Sequence, residues 1–120
     1  MRPLAVERRS AADGSELLVV EGEIDASTSS RLIAALNEAV TDAVRSLVVD
    51  LTRVDFMDST GLGLLLGAYR RLKRRGRGFA IVCSGGPVRR IFELTDLIET
   101  LHVVPSREAA LRAATAGLPA

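Results

Sequence analysis

The chain has 120 residues, 48% apolar and 26% charged, with a formal net charge of +1. That is the size and make-up of one folded domain, and the charge gives no case for nucleic acid or a membrane as a direct partner. No run of about 18 apolar residues could span a bilayer, and one cysteine and one histidine exclude an internal disulfide and a Cys/His zinc site.

In chain order, Leu4 to Arg9 reads as a weak strand. Asp13-Gly14 is a turn signal before a second strand, Glu16 to Glu21, so the pair predicts a hairpin. Gly22-Glu23-Ile24-Asp25 leads into Ser27, Thr28, Ser29 and Ser30, a cluster suited to capping a helix. Leu32, Ile33, Leu36 and Val40 follow at helical spacing. Ser46 to Asp50 is a short apolar strand, and Thr52 to Met57 reads as a loop anchored by Val54 and Phe56.

A second helix is predicted from Ser59 to Arg75, with Leu62, Leu65, Leu66, Tyr69 and Leu72 facing inward. Gly76 and Gly78 are its expected end, as left-handed caps. Phe79 to Cys83 is the fourth strand. Ser84-Gly85-Gly86-Pro87 turns the chain into a third helix with Val88, Ile91 and Phe92 inside and Leu94 a fourth candidate. His102 to Val104 is a last short strand. Ser106 caps a final helix whose apolar side is Ala110, Leu111 and Ala114. Aromatics are scarce, at 3%, so the core is expected to be Leu, Val, Ile and Ala.

A strand pair followed by alternating helix and strand predicts an α/β fold: about five strands in a mixed, mainly parallel sheet, packed with about four helices. Loops leaving strand C-termini gather on one edge of such a sheet, where sites tend to lie. The loops at Asp25, at Ser59 and at Ser84 to Pro87 are therefore expected to be neighbours.

Asp58-Ser59-Thr60-Gly61-Leu62-Gly63 joins a strand to a helix. A Ser or Asp oxygen there caps the helix for about 1 kcal/mol. The same position suits a phosphate on Ser59, because a helix N-terminus favours anions. A serine nucleophile is not expected, since no base accompanies it and the G-x-S-x-G elbow is absent.

Val48-Val49-Asp50-Leu51 with Val54-Asp55-Phe56-Met57-Asp58-Ser59-Thr60-Gly61-Leu62-Gly63 closely resembles the STAS domain of bacterial anti-sigma-factor antagonists. Val20-Glu21-Gly22-Glu23-Ile24-Asp25 with Thr28 is similar to that family's other signature. Val88 to Leu97 resembles its third helix, and Ser106 with Glu108, Ala109 and Ala110 its last. The resemblance spans about 4–114 and implies one STAS domain over 1–120 with the STAS fold. It implies a binding switch, with no enzymatic activity and no cofactor; the single cysteine and the lack of a long apolar stretch at the start make a cytoplasmic protein the expectation. The unphosphorylated form would bind an anti-sigma factor that is also an ATP-dependent serine kinase, and so release the sigma factor. Phosphorylation would end that binding, and a PPM-type phosphatase would restore it.

Carried onto this chain, the resemblance makes Ser59 the acceptor, with Thr60 a minor candidate where relatives have a second serine. Asp58 is the adjacent acid and Asp25 a contact on the same edge. Asp58, Ser59, Thr60, Gly61, Gly63 and Gly67 then join Asp25 as partner-binding candidates. Gly63 and Gly67 are read as exposed small residues that permit close approach. Asp96 stands where relatives often have glycine. An alternative within the family is a STAS subunit of a stress-signalling or lipid-transport complex.

Three other features bear on function. Cys83 to Arg89 has the C-x5-R spacing of a cysteine phosphatase loop, which needs a thiolate, a cradle of N–H donors and an arginine. Pro87 removes a donor, and Arg90 and Val82 replace a hydroxyl and a histidine, so a buried cysteine before a turn fits better. The basic run Arg70, Arg71, Lys73, Arg74, Arg75 and Arg77 fits a solvated helix C-terminus, where cations oppose the dipole. His102 is alone and reads as a structural strand residue.

Overall fold

A computed structural model describes residues 3–119. Its elements are β1 (Ala5–Ser10), β2 (Ser15–Ile24), α1 (Ser29–Ala39), β3 (Ser46–Met57), α2 (Ser59–Arg74), β4 (Gly78–Val82), α3 (Gly86–Leu94), β5 (Val103–Val104) and α4 (Arg107–Thr115). The strands lie in the order β1-β2-β3-β4-β5. β1 and β2 form the expected antiparallel hairpin, and every later pairing is parallel.

That consecutive order fixes where the helices go. Parallel crossovers are right-handed as a rule, and here each steps the same way across the sheet, so their helices land on one face. The main core accordingly joins Leu32 and Leu36 of α1, Leu65 and Leu72 of α2 and Phe92 of α3 to Leu18, Val20, Leu47, Val49 and Ile81 of the strands. α4 crosses to the other face and packs Ala110 and Ala114 on Val48, Ala80 and Val82. It lies over β3, β4 and β5, which leaves β1 and much of β2 open on that side. Among the described residues no helix is long and apolar enough to cross a membrane.

β3 corrects the sequence reading most. The segment Thr52 to Met57, expected as a loop, continues the strand. β4 pairs with β3 only from Ser46 to Asp50, while β2 accompanies it to Met57. Two register shifts each place an extra β3 residue opposite β2, and such bulges bend and twist a strand. At about 3.3 Å per residue, the overhang beyond Asp50 is roughly 20 Å. The domain is correspondingly long, at 42 × 26 × 23 Å.

Two helices end alike. After α2, Gly76 adopts φ +67, and the Arg77 and Gly76 N–H groups donate to the carbonyls of Leu72 and Lys73 at 2.9 and 3.0 Å. After α3, Asp96 takes the same left-handed role at φ +59, with Leu97 and Asp96 donating to Phe92 and Glu93 at 2.9 and 3.2 Å. This backbone is the one glycine adopts most readily, so glycine suits the Asp96 position. Gly78 does not cap α2. It opens β4, where a Cβ would overlap the Ala114 carbonyl oxygen.

Other expectations shift by one or two helical positions. Ile33, Leu94 and Leu111 are exposed, because Leu32, Leu36 and Ala39 form the buried stripe of α1, Val88 and Phe92 that of α3, and Ala110 and Ala114 that of α4. Ile33 and Leu111 are one residue from their stripes, about 100° off, and Leu94 is two past Phe92, about 200° off. Phe56 is 48% exposed, at the second bulge of β3. His102 lies in the turn before β5, at φ +51, and is not a strand residue.

Candidate functional site

The C-terminal ends of β2 and β3 run together past the rest of the sheet. There the Asp58 N–H donates to the Ile24 carbonyl at 3.1 Å, tying the start of α2 to the Asp25 loop. Asp25 organises its own loop. Its Oδ1 accepts from the Ser27 hydroxyl at 2.6 Å and from the Ser27 and Thr28 N–H groups at 2.8 and 3.1 Å. The Ser27 hydroxyl bond, reinforced by those N–H groups against slight desolvation, holds the Asp25 carboxyl below its ordinary range. Thr28 does not cap α1 with its side chain. Its hydroxyl donates to the Glu23 carbonyl at 2.8 Å and accepts from the Asp25 N–H at 3.0 Å.

Asp58 is the N-cap of α2. Its backbone is extended and its Oδ1 accepts from the N–H groups of Thr60 and Gly61 at 2.9 and 3.3 Å. The cap is therefore a carboxylate, and Ser59 is the first helical residue. Ser59 is exposed, and its hydroxyl has no hydrogen-bond partner among the described residues. Thr60 is half-buried, with its N–H committed to the cap.

The three glycines differ. Gly61 is buried, and a Cβ on it would stand 2.6 Å from Met57 Cγ and 2.7 Å from Ile24 Cγ2. That corrects its expected place on a contact surface: Gly61 lets α2 seat on β2 and β3. Gly63 is exposed and Gly67 half-buried, and a Cβ on either would meet nothing within 4 Å. Both are open to an approaching surface. Phe56 was missed as a candidate. An apolar residue between Asp55 and Met57 looked like a core anchor, and only the bulge turns it outward.

The Ser84 to Pro87 loop does not join this cluster. β4 stops opposite Asp50, so the loop leaves the sheet far short of Ser59. Nor does it make a phosphate cradle. Cys83 is 2% exposed, and burial, only partly opposed by a backbone hydrogen bond from Gly85 and by Arg89, raises its thiol above the ordinary range. Arg89 Nη1 donates to the Cys83 carbonyl at 2.9 Å, which turns the guanidinium onto the backbone. His102 sits at the opposite end of the sheet and supplies Ser59 with no base.

Residues 9–110 match the STAS domain family model. The chain is 36% identical over 84 residues to an anti-sigma-B factor antagonist of Staphylococcus aureus, covering 70% of this chain and 78% of that protein. It is 35% identical over 86 residues to that of Listeria monocytogenes, covering 72% and 75%. Among solved structures, an anti-sigma factor antagonist from Mycobacterium paratuberculosis superposes with a TM-score of 0.84 at 34% identity, covering 92% of this chain and 93% of that one.

Proposed function

This chain belongs to the STAS domain family, and on that premise we propose that it is an anti-sigma-factor antagonist switched by phosphorylation of Ser59. The carrying observation is the division of labour between two adjacent residues. Asp58 already caps α2, so the exposed Ser59 hydroxyl is available for modification without loss of the cap. A phosphate there brings a charge of about −2 to a helix N-terminus, which the helix dipole favours. The fold itself thus tolerates the modification, with little backbone change.

A docked partner that presents a carboxylate does not tolerate it. Two charges against one, about 5 Å apart at an effective dielectric near 20, repel by roughly 6–7 kcal/mol before screening. Moving a two-state equilibrium from 99:1 to 1:99 takes about 5.5 kcal/mol. In this reading the unphosphorylated chain binds an anti-sigma factor in the cytoplasm and frees the sigma factor. That partner is also the ATP-dependent serine kinase, and a PPM-type phosphatase resets the switch. The contact surface is the Asp25 loop, Asp58, Ser59 and Thr60, with Gly63 and Gly67 allowing close approach and Phe56 adding apolar area. The protein works as a binding switch without catalysis of its own.

The test is intact mass after incubation with the candidate kinase and ATP. One added phosphate, abolished by Ser59→Ala, is the expected result. Modification elsewhere, or none with a demonstrably active kinase, overturns the reading.

A further inference from the structure

A second concave site lies at the other pole of the domain, about 520 Å³ in volume. It is bounded by the last turns of α2, the start of β4, the turn before β5 and the end of α4. One wall is the half-buried Tyr69 ring, backed edge to face by the buried Phe79 with ring centres 6.1 Å apart. Ala113, Ala114 and Leu118 continue the apolar lining.

The polar groups at this cleft are cationic or uncommitted. Lys73 Nζ stands 5.5 Å from the Tyr69 ring centre. Arg77 Nη2 donates to the Asp42 carbonyl at 3.2 Å. Among the described residues neither forms an ion pair with a carboxylate, and neither does Glu99, the acid that also lines the cleft. His102 Nδ1 lies 3.1 Å from the Phe79 carbonyl oxygen. A carbonyl only accepts, so Nδ1 carries a hydrogen, and Nε2 can donate to an anion when the ring is the imidazolium with both nitrogens protonated. His102 is held there at φ +51, a backbone that costs a non-glycine residue energy.

We propose that this cleft binds a small organic anion: a phosphate or carboxylate group held by Lys73, Arg77 and the Nε2–H of a protonated His102, carrying a flat apolar group that lies along Tyr69. Size and lining argue for both halves. A bare phosphate would leave most of the cavity empty, and a purely apolar ligand would desolvate two unpaired cations. The segment from Arg70 to Arg77 carries six cations and no acid. That excess outweighs the negative end of the α2 dipole and draws anions to the pole. The site is distinct from the partner-binding edge, since Tyr69, its nearest residue on α2, lies ten residues or roughly 15 Å of helix beyond Ser59.

The experiment is an amide-resolved NMR titration of the full chain with 1-naphthyl phosphate, beside inorganic phosphate and uncharged 1-naphthol. Naphthyl phosphate is expected to shift Phe79 and His102 with a dissociation constant below about 1 mM. Each control is expected to bind at least about tenfold more weakly. Lys73→Gln and His102→Gln, both exposed positions, are expected to weaken binding about tenfold with the remaining spectrum unchanged. Ser59→Asp is expected to leave it intact, so the outcome does not depend on the phosphoswitch. No shift at saturating probe overturns the proposal. Equal binding of inorganic phosphate, or of naphthol, overturns the combined anion and apolar recognition.

Discussion

Arg107 of α4 donates from Nε to Oδ2 of Asp50 in β3 at 2.7 Å, tying α4 to the sheet face it covers at the point where β3 leaves β4. Asp50 is 3% exposed. Its other oxygen accepts from the Thr52 N–H at 2.9 Å and from the Thr52 hydroxyl, so the carboxylate also pins the first bulge.

Burial alone would raise the Asp50 carboxyl, but the Thr52 bonds and Arg107 together hold it below the ordinary range. Such a group stabilises the fold above its unfolded value of about 3.9, and the contribution is lost as pH falls through the lower folded value. Asp50→Asn is expected to cost about 2 kcal/mol at neutral pH and to flatten the acid limb of stability below about pH 4. Arg107→Ala is expected to cost less than Asp50→Ala, which also strips Thr52 of its acceptor. Urea unfolding across pH measures each.

Neighbouring glycines of α2 are expected to respond with opposite signs. Gly63→Ala adds a Cβ in open space within a helix and is expected to stabilise by up to about 1 kcal/mol. Gly61→Ala forces Met57 and Ile24 aside and is expected to destabilise by about 1–3 kcal/mol. Denaturant midpoints of the two variants decide this. Gly67→Arg is expected to fold normally and to lose partner affinity; unchanged affinity would remove that helix face from the interface.

Asp96→Gly places glycine at a left-handed backbone position, φ +59, that is strained for a residue with a Cβ. A gain of about 0.5–1 kcal/mol is expected, read as a rise of a few degrees in Tm.

Asp58 separates capping from charge. Asp58→Ala removes the acceptor for Thr60 and Gly61 and is expected to cost about 1 kcal/mol. Asp58→Asn keeps a capping oxygen and removes only the charge, so its stability is expected to stay within about 0.5 kcal/mol. Comparing the kinase reaction of both variants then isolates what the carboxylate does beside Ser59.

Most of the fold could be read from the chain because its strands are short apolar runs and its helices carry regular apolar stripes. β3 beyond Asp50 could not. Thr52, Arg53, Asp55 and Phe56 are exposed there because no helix covers that side, and two bulges break the alternation that marks a strand. The same overhang explains why the Ser84 loop, on the same edge in principle, sits away from Ser59. At the site, Asp58 and Ser59 were both visible as cap candidates. Which one caps depended on a single residue of helix phase, which side-chain chemistry alone does not fix. Gly61 and Gly63 are two apart and look alike in sequence, yet one turns into the packed seam and the other away from it.

The unequal lengths of β3 and β4 also divide the backbone into two regimes of motion. Amides from Ser46 to Asp50 lie between two neighbouring strands, and hydrogen exchange there is expected to need the larger, more global opening. Those from Arg53 to Met57 have one neighbouring strand and can open with β2 as a local unit. Ser59 directly follows that segment, so in the proposed switch the phosphoacceptor sits beside backbone paired on one side only, while the five-stranded body stays closed.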